Sequence, residues 1–435
     1  MRRLAAFLAI LSAFSCARAQ KQESLYELRA RVFDLARVQA VYMDSLLMAE
    51  MPDQVGHDVK ADNDIISVMA GSDRPSGRRC PRTFQGDTLV TSDIGWWTSG
   101  FYPGVLWRLF FETGERTYWE LALKHTVPLA GLLDRETDHD IGFQLMSSFG
   151  PLRTFMRMSD ISRYSSISGS RAEVPAPSAV NDVLSRGAAK LAARFVPEAG
   201  VIRSWNWGPW NIPVIIDNMM NLELLDAAET HPENNYWEIA EKHALTTLKN
   251  HFREDGTVWH LVDYADDGTV LGKQTVQGYA DDTAWARGQA WALYGYARMA
   301  ETRVAWAEPE VHFQPFYDVA AKLEAWLLKN LPEDGIPYWD FSQSDYKDAS
   351  AAAIIACGLL KMWRLRDCPP DDPALAMAER ILRTLASPEY LAEPRTNGGF
   401  LLKHSVGNLP GGTEIDVPLT YADYYFLEAL SLFPF

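Results

Sequence analysis

Residues 348–360 read Asp-Ala-Ser-Ala-Ala-Ala-Ile-Ile-Ala-Cys-Gly-Leu-Leu, with no charge after the first position. A helix that is apolar on every side must be buried on every side. Residues 117–125 and 235–243 read differently. TYWELALKH and NYWEIAEKH resemble each other, and each sets a charged face against an apolar one. The chain alternates between these two types. Apolar residues recurring at i, i+3, i+4 and i+7 predict twelve helices, at about 23–47, 96–113, 116–134, 140–157, 179–195, 217–230, 234–251, 282–301, 313–330, 350–365, 372–386 and 419–432. Charged-face helices can cover the apolar ones. The expected fold is therefore all-α: an (α/α)6 barrel of six inner and six outer helices. An open stack of helix pairs is the alternative, but the repeat is loose and its loops are long. Within the loop 252–281, Thr-Val-Trp-His-Leu-Val (257–262) alternates and a turn follows at Asp267-Gly268, which predicts a β-hairpin insertion. The stretch 159–178 is Ser-rich and reads as a mobile surface segment. No break in composition divides residues 20–435, so one domain is expected.

The composition narrows the function classes. The chain has 435 residues, 47% hydrophobic and 23% charged, which excludes disorder and a polytopic membrane protein. Its formal net charge is −16, a poor match to a phosphate backbone, so no nucleic-acid partner is expected. Aromatics reach 12%, with 15 Trp. An indole stacks well on the apolar face of a pyranose, although most of these side chains are expected to fill the core.

The first residues read as an address. Arg2 and Arg3 precede a short apolar run from Leu4 to Phe14, and Ala17-Arg18-Ala19 fits a cleavage site. A signal peptide over 1–19, and export to the periplasm, are expected. The run is too short to span a bilayer, and no later stretch is long enough to be a membrane span. Lipid attachment at Cys16 is the rival reading, and Ala13-Phe14-Ser15 fits it poorly. Cleavage would leave Cys80, Cys357 and Cys368, an odd number that cannot all pair. The nine histidines show no zinc-binding spacing, and neither a GxSxG elbow nor a phosphate loop occurs. No metal or cofactor is expected.

Two carboxylates stand out where predicted inner helices begin. They are Asp140, in HDIGF (139–143), and Asp217, in VIIDNMMN (214–221). Apolar neighbours raise a carboxyl pKa and suit it to acid catalysis. Asp is also a favoured helix cap, which is the bland alternative for each. His260 lies on the predicted hairpin, and Gln277 comes shortly after it. Arg287 and Trp291, four apart on one helix face, could clamp a carboxylate and stack on a sugar. The alternative is that Trp291 is core and Arg287 pairs with Asp281 or Asp282.

These segments together resemble the unsaturated glucuronyl hydrolases, glycoside hydrolase family 88. The resemblance rests on WWTSGFYPG (96–104), HDIGF, VIIDNMMN, the Trp259-His260 pair, QGYADDTAWARGQAWALYGYA (277–297), DASAAAIIACGLL (348–360) and PLTYADYYFLEAL (418–430). It implies an exo-acting enzyme whose partner is an oligosaccharide left by a polysaccharide lyase, ending in a 4,5-unsaturated uronic acid. The family hydrates that double bond. By resemblance Asp217 is the general acid and base, and Asp140 the second essential carboxylate. His260, Gln277, Arg287, Trp291, Trp97 and Trp205 match substrate positions. The register of Trp97 and Trp205 stays open, because WW (96–97) and SWNWGPW (204–210) each offer several indoles. The segment 159–178 has no counterpart in the family pattern. Three other readings compete: an unsaturated rhamnogalacturonyl hydrolase on the same barrel, a sugar-binding barrel without catalysis, and an inverting glucanase. Oligomeric state and the preferred disaccharide stay open.

Overall fold

The computed structural model describes residues 23–49, 79–158, 174–228, 234–303 and 309–434. The expected leader at 1–19 and most of the segment 159–178 lie outside them. The described chain is mostly helical. Its helices are α1 (Leu25–Ala49), α2 (Phe101–Thr113), α3 (Arg116–Thr126), α4 (Ile141–Met146), α5 (Phe149–Arg157), α6 (Pro177–Ala192) and α7 (Asn218–Ala228). They continue with α8 (Tyr236–His251), α9 (Ala286–Arg303), α10 (Pro309–Asn330), α11 (Ala349–Leu365), α12 (Pro373–Leu385) and α13 (Thr420–Leu432).

The apolar helices pack against one another in sequence. Helix α4 touches α7, α7 touches α9, α9 touches α11, and α11 touches α13. Helix α13 returns to α2, which meets α5. Side chains follow from that placement. Every residue of α11 from Ala349 to Trp363 is buried. Helix α12, packed on α11, buries Ala374, Ala378, Ile381, Leu382 and Leu385, a single stripe at helical spacing. Helices α3, α8 and α10 lie on α2, α7 and α9 in the same way. Glycine sets the closest approach: a β-carbon on Gly100 would run into the backbone of Gln144 within α4.

Several boundaries differ from the pattern-based expectation. The helix expected over 140–157 is two helices. Ser148 turns its hydroxyl back onto the Gln144 carbonyl at 2.6 Å, and Gly150-Pro151 come next, so the backbone restarts there. The helix expected from 282 starts at Ala286, because Asp340 pins the preceding turn through the Tyr279 N–H (3.1 Å) and the Thr283 hydroxyl (2.8 Å). Residues 96–100 are turns, and α2 begins at Phe101. Helix α3 ends at Thr126 and continues as a 3₁₀ helix over Val127–Asp134.

The strands are short. β1 (Cys80–Gln85) and β2 (Thr88–Ser92) pair around Gly86-Asp87, both at positive φ. That is the geometry of a two-residue hairpin turn, and the sequence reading overlooked it. β3 (Phe195–Val196) pairs with β4 (Val201–Ile202). β5 (Ile212–Ile215), β6 (Leu261–Tyr264) and β7 (Val270–Gln274) form one antiparallel sheet in that order. β8 (Ser405–Asn408) pairs with β9 (Thr413–Val417). The β5–β6–β7 sheet brings two polar residues together at its end. It sets the residue after Ile216, which is Asp217, beside the residue before Leu261, which is His260. The Ile216 N–H donates to the His260 carbonyl at 2.9 Å.

Candidate active site

Four aspartates stand at or just before helix starts, and they divide into two kinds. Asp348 caps α11, accepting from the N–H groups of Ser350 (3.0 Å) and Ala351 (3.3 Å). Asp372 caps α12 through the Ala374 N–H at 2.8 Å. These two do what aspartate ordinarily does at a helix start. Asp140 occupies the cap position of α4 and makes no side-chain cap hydrogen bond. Asp217, just before α7, is buried, and its Oδ2 has no hydrogen-bond partner. The cap alternative fails for Asp140 and leaves that oxygen of Asp217 unused.

The groups around Asp217 are equally uncommitted. His260 Nδ1 accepts from the backbone N–H groups of Val276 (3.0 Å) and Gln277 (3.3 Å). The ring proton therefore sits on Nε2, which lies 3.9 Å from Asp217 Oδ2 and has no partner. Burial lowers the His260 pKa to about 3, so the ring is a neutral donor. The indole of Trp291 also faces Asp217, and its Nε1 is buried without a completed hydrogen bond. Burial raises the Asp217 pKa from its ordinary 3.8 to about 7, against the opposing pull of the Arg287 charge. Asp140 is pushed well above the usual carboxylate range, by burial first and then by the negative charges of Asp138 and Asp217. The two carboxyls thus feel each other. Asn221, one turn into α7, draws the Asp140 pKa part of the way back down, although its Nδ2 has no completed hydrogen bond, and it accepts the Phe143 N–H at 2.7 Å.

Gly142 explains how close these helices come. A β-carbon there would stand 2.6 Å from the Asn221 backbone and 2.5 Å from its Oδ1. HDIGF and VIIDNMMN therefore meet because one of them lacks a side chain at the crossing.

The remaining expected site residues are Trp97, Trp205, Gln277, Arg287 and Trp291. Trp97 lies between Phe143 (5.5 Å) and Tyr421 (4.8 Å), so the second indole of its pair faces inward, whereas Trp96 lies over Arg82. Trp205 is buried with its ring 6.4 Å from that of His139, the neighbour of Asp140. Gln277 donates from Nε2 to the Gly407 carbonyl at 3.2 Å. Arg287 is fully buried and pairs with Asp348 (3.4 Å), not with Asp281 or Asp282. Its remaining bonds go to the carbonyls of Val406 and Gly407 (2.5 Å), and its guanidinium lies over Trp285. These bonds fasten it to β8, so what it gives Asp217 is charge at a fixed distance. Trp291 is fully buried, yet its polar edge is turned to the site.

Sequence reasoning passed over His139, Asn218, Asn221, Asp348 and Tyr421. His139 Nε2 is 3.4 Å from Asp140. Asn218 donates to the Ile202 carbonyl at 2.7 Å and keeps its Oδ1 unpartnered. The Tyr421 hydroxyl is buried and unpartnered as well. Each lies inside a stretch already singled out, so adjacency was the available signal. Among the described residues, no group of three or more His, Cys, Asp or Glu side chains is arranged to hold a metal.

Buried polar atoms without partners are costly. Here they converge on one carboxyl: an unused acceptor on Asp217 and two unused donors, on His260 and Trp291. The arrangement is prepared for something polar that enters.

Comparison with known proteins agrees. The chain is 39% identical over 345 residues to an unsaturated glucuronyl hydrolase of Formosa agariphila, covering 77% of this chain and 79% of that one. The chain belongs to the unsaturated glucuronyl hydrolase family. It is 30% identical over 387 residues to an unsaturated glucuronyl hydrolase of Bacillus sp. (strain GL1), covering 85% of this chain and 95% of that one. A crystal structure of an unsaturated glucuronyl hydrolase specific for heparin superimposes with a TM-score of 0.73 at 34% identity, over 92% of this chain and 96% of that one. No family model matches the chain. The protein is a glycosidase, and the unsaturated glucuronyl hydrolase reading prevails over its competitors. No helix among the described residues is long and apolar enough to cross a membrane.

Proposed function

We propose that the enzyme removes a 4,5-unsaturated uronic acid from the non-reducing end of lyase-generated oligosaccharides by hydrating the C4=C5 bond, with Asp217 as acid and base. The observation that carries this is the unpartnered, buried Asp217 carboxyl, held protonated up to about pH 7. A vinyl ether needs a proton at carbon, and a carboxyl with a pKa near the working pH both delivers and recovers one. Asp217 gives its proton to C4. Positive charge develops at C5, stabilised by the ring oxygen. Water adds at C5 and returns a proton to Asp217. The C5 hemiketal opens to a ketone as its C5–O bond breaks, leaving a hemiacetal at C1. That hemiacetal collapses to the aldehyde and releases the remaining sugar, with one water consumed overall.

Asp140 supports this chemistry from beside Asp217, where its charge helps keep a proton on the pair. Its own role is to bind sugar hydroxyls. His260 Nε2–H donates to the substrate or to the Asp217 carboxylate. Trp97, Trp205 and Trp291 supply aromatic surface. Gln277 and Arg287 hold the wall formed by β8.

The architecture fits an (α/α)6 double ring, with α2, the α4–α5 pair, α7, α9, α11 and α13 inside and the β6–β7 hairpin as an insertion. The neighbour contacts support that closure. The unit is taken as one domain over 20–435, exported to the periplasm after loss of a leader at 1–19. The test is absorbance of the conjugated double bond, followed with native protein and Asp217→Asn on a panel of unsaturated disaccharides. Loss with the native protein alone establishes the chemistry. A flat trace with both overturns it.

A further inference from the structure

Two histidines flank the two carboxyls, and their rings are held in different ways. His260 takes its tautomer from the backbone: Nδ1 accepts from Val276 and Gln277, so the proton sits on Nε2, on the Asp217 side. His139 stands beside Asp140 with its Nε2 3.4 Å from Oδ1. Its Nδ1 is buried and has no completed hydrogen bond. The tautomer of a neutral imidazole is set by the bond its second nitrogen makes. For His139 that bond has to come from a side chain.

The side chain at hand is Asn218, the first residue of α7, which acts on the His139 ring as a hydrogen-bond acceptor. Chemistry alone orients its amide. Only the NH2 group can donate to the Ile202 carbonyl, at 2.7 Å, so Oδ1 is the end left for His139. Ile202 is itself fixed, because its N–H donates to His243 Nδ1 on α8 at 2.9 Å. Turning the amide over would strand a buried carbonyl. Asn218 is fully buried, and its Oδ1 lacks a completed hydrogen bond, as Nδ1 of His139 does. One proton between the two atoms satisfies both.

We infer that Asn218 fixes His139 as the tautomer protonated on Nδ1, and that the bare Nε2 accepts the proton of Asp140. The two histidines then play opposite parts. His260 offers a proton to Asp217 and favours its ionised form. His139 offers a lone pair to Asp140 and favours its neutral form. Once Asp217 has given its proton to C4, the proton that the pair retains stays on Asp140. Asn218 is a positioning residue that acts through His139. The inference rests on the reaction proposed above only for the direction in which the Asp217 proton moves. Other charges act on these groups. Burial, then the Arg194 charge, lowers the His139 pKa to about 3 and keeps the ring neutral. Asp140 is raised by burial, Asp138 and Asp217, and lowered by Asn221 and Arg194. None of them selects which nitrogen of the neutral ring carries the proton, and the Asn218 oxygen does.

Neutron diffraction from crystals of the native full chain, near neutral pD, reads these protons directly. Deuterons are expected on Nδ1 of His139, on Nε2 of His260 and on the Asp140 carboxyl facing His139. A deuteron on Nε2 of His139, or on both of its nitrogens, overturns the inference. Asn218→Leu tests the consequence for turnover. Without the acceptor, His139 carries its proton on Nε2 and donates to an ionised Asp140, whose charge makes Asp217 harder to ionise. The alkaline limb of kcat is expected to move up by about one pH unit, and kcat to fall about tenfold. A merely structural loss would lower Tm and leave the limb in place, so a folded Asn218→Leu enzyme with the native limb overturns the positioning role. If the variant does not fold, the deuterons alone decide. If native enzyme leaves every unsaturated disaccharide intact while the deuterons stand as expected, the reaction is wrong and the proton arrangement holds.

Discussion

The two ends of the same helices treat buried charge in opposite ways. Helix α9 carries Arg287 and Trp291 in its first two turns, beside a carboxyl with an unpartnered oxygen. It ends at Arg298 and Glu301, in a network where each acid has a cation. Arg298 pairs with Glu223 at 2.9 Å and Glu301 at 3.5 Å, Lys361 pairs with Glu301 at 2.9 Å, and Arg108 pairs with Glu428 at 3.0 Å. Burial pushes both Glu223 and Asp217 upward. At Glu223 the charges of Arg298 and Lys361 outweigh it and hold the pKa below the usual range, whereas at Asp217 the distant Arg287 does not. One end is settled. The other is left unsettled, and that is where a substrate has work to do.

The largest way to break this contrast is Asp217→Asn. It is expected to lower turnover about a thousandfold without lowering the melting temperature, because the carboxyl it replaces is not paired. A matched loss of stability would mean that Asp217 is structural. At the opposite end Arg108→Met is expected to do the reverse: about 3 kcal/mol less stability in denaturant unfolding, from leaving Glu428 buried without its cation, and little change in KM. Gly142→Ala probes the crossing between the two carboxylate segments. It is expected to cost about 2 kcal/mol and to lower kcat as well, since the displaced neighbour is Asn221.

The smallest effect is in pH. The Asp217 pKa is raised on folding, so the folded state binds more protons than the unfolded chain between about 4 and about 7. The contribution of this group to stability is therefore full below about pH 4 and is lost as pH rises through about 7. Asp217→Asn should flatten that part of the stability curve, and kcat of the native enzyme should fall on the alkaline side of about pH 7. An unchanged slope in the variant would assign the pH dependence to another group.

What the sequence disclosed tracks the range of the interaction involved. Helix α11 was legible because a run of Ala, Ile and Leu has one physical solution, burial on all sides. Asp140 and Asp217 were legible as candidates because they precede apolar helices. Their use as caps or as free acids was not, since that depends on where an oxygen points. The partners of Arg287 were out of reach as well. Asp281 and Asp282 were the near choices, and the protein instead uses Asp348 and two carbonyls of β8, more than a hundred residues on in the latter case. The break between α4 and α5 and the turn at Gly86-Asp87 were local and readable from Ser148, Gly150 and Gly86. There a strong apolar periodicity and a short strand length concealed them.

The contact between α13 and α2 has a consequence for the order in which the protein is made. The two helices are separated by about 300 residues of chain, and α13 is the last of the described helices in chain order. No described helix made earlier takes its place against α2, so the seam stays open until α13 itself has been made. Throughout that interval the apolar flanks of α9 and α11 have no complete covering. Contacts of such long range slow folding and lengthen the life of sticky intermediates. Refolding yield from denaturant should accordingly fall steeply with protein concentration, and a chaperone that shields apolar helices should restore it.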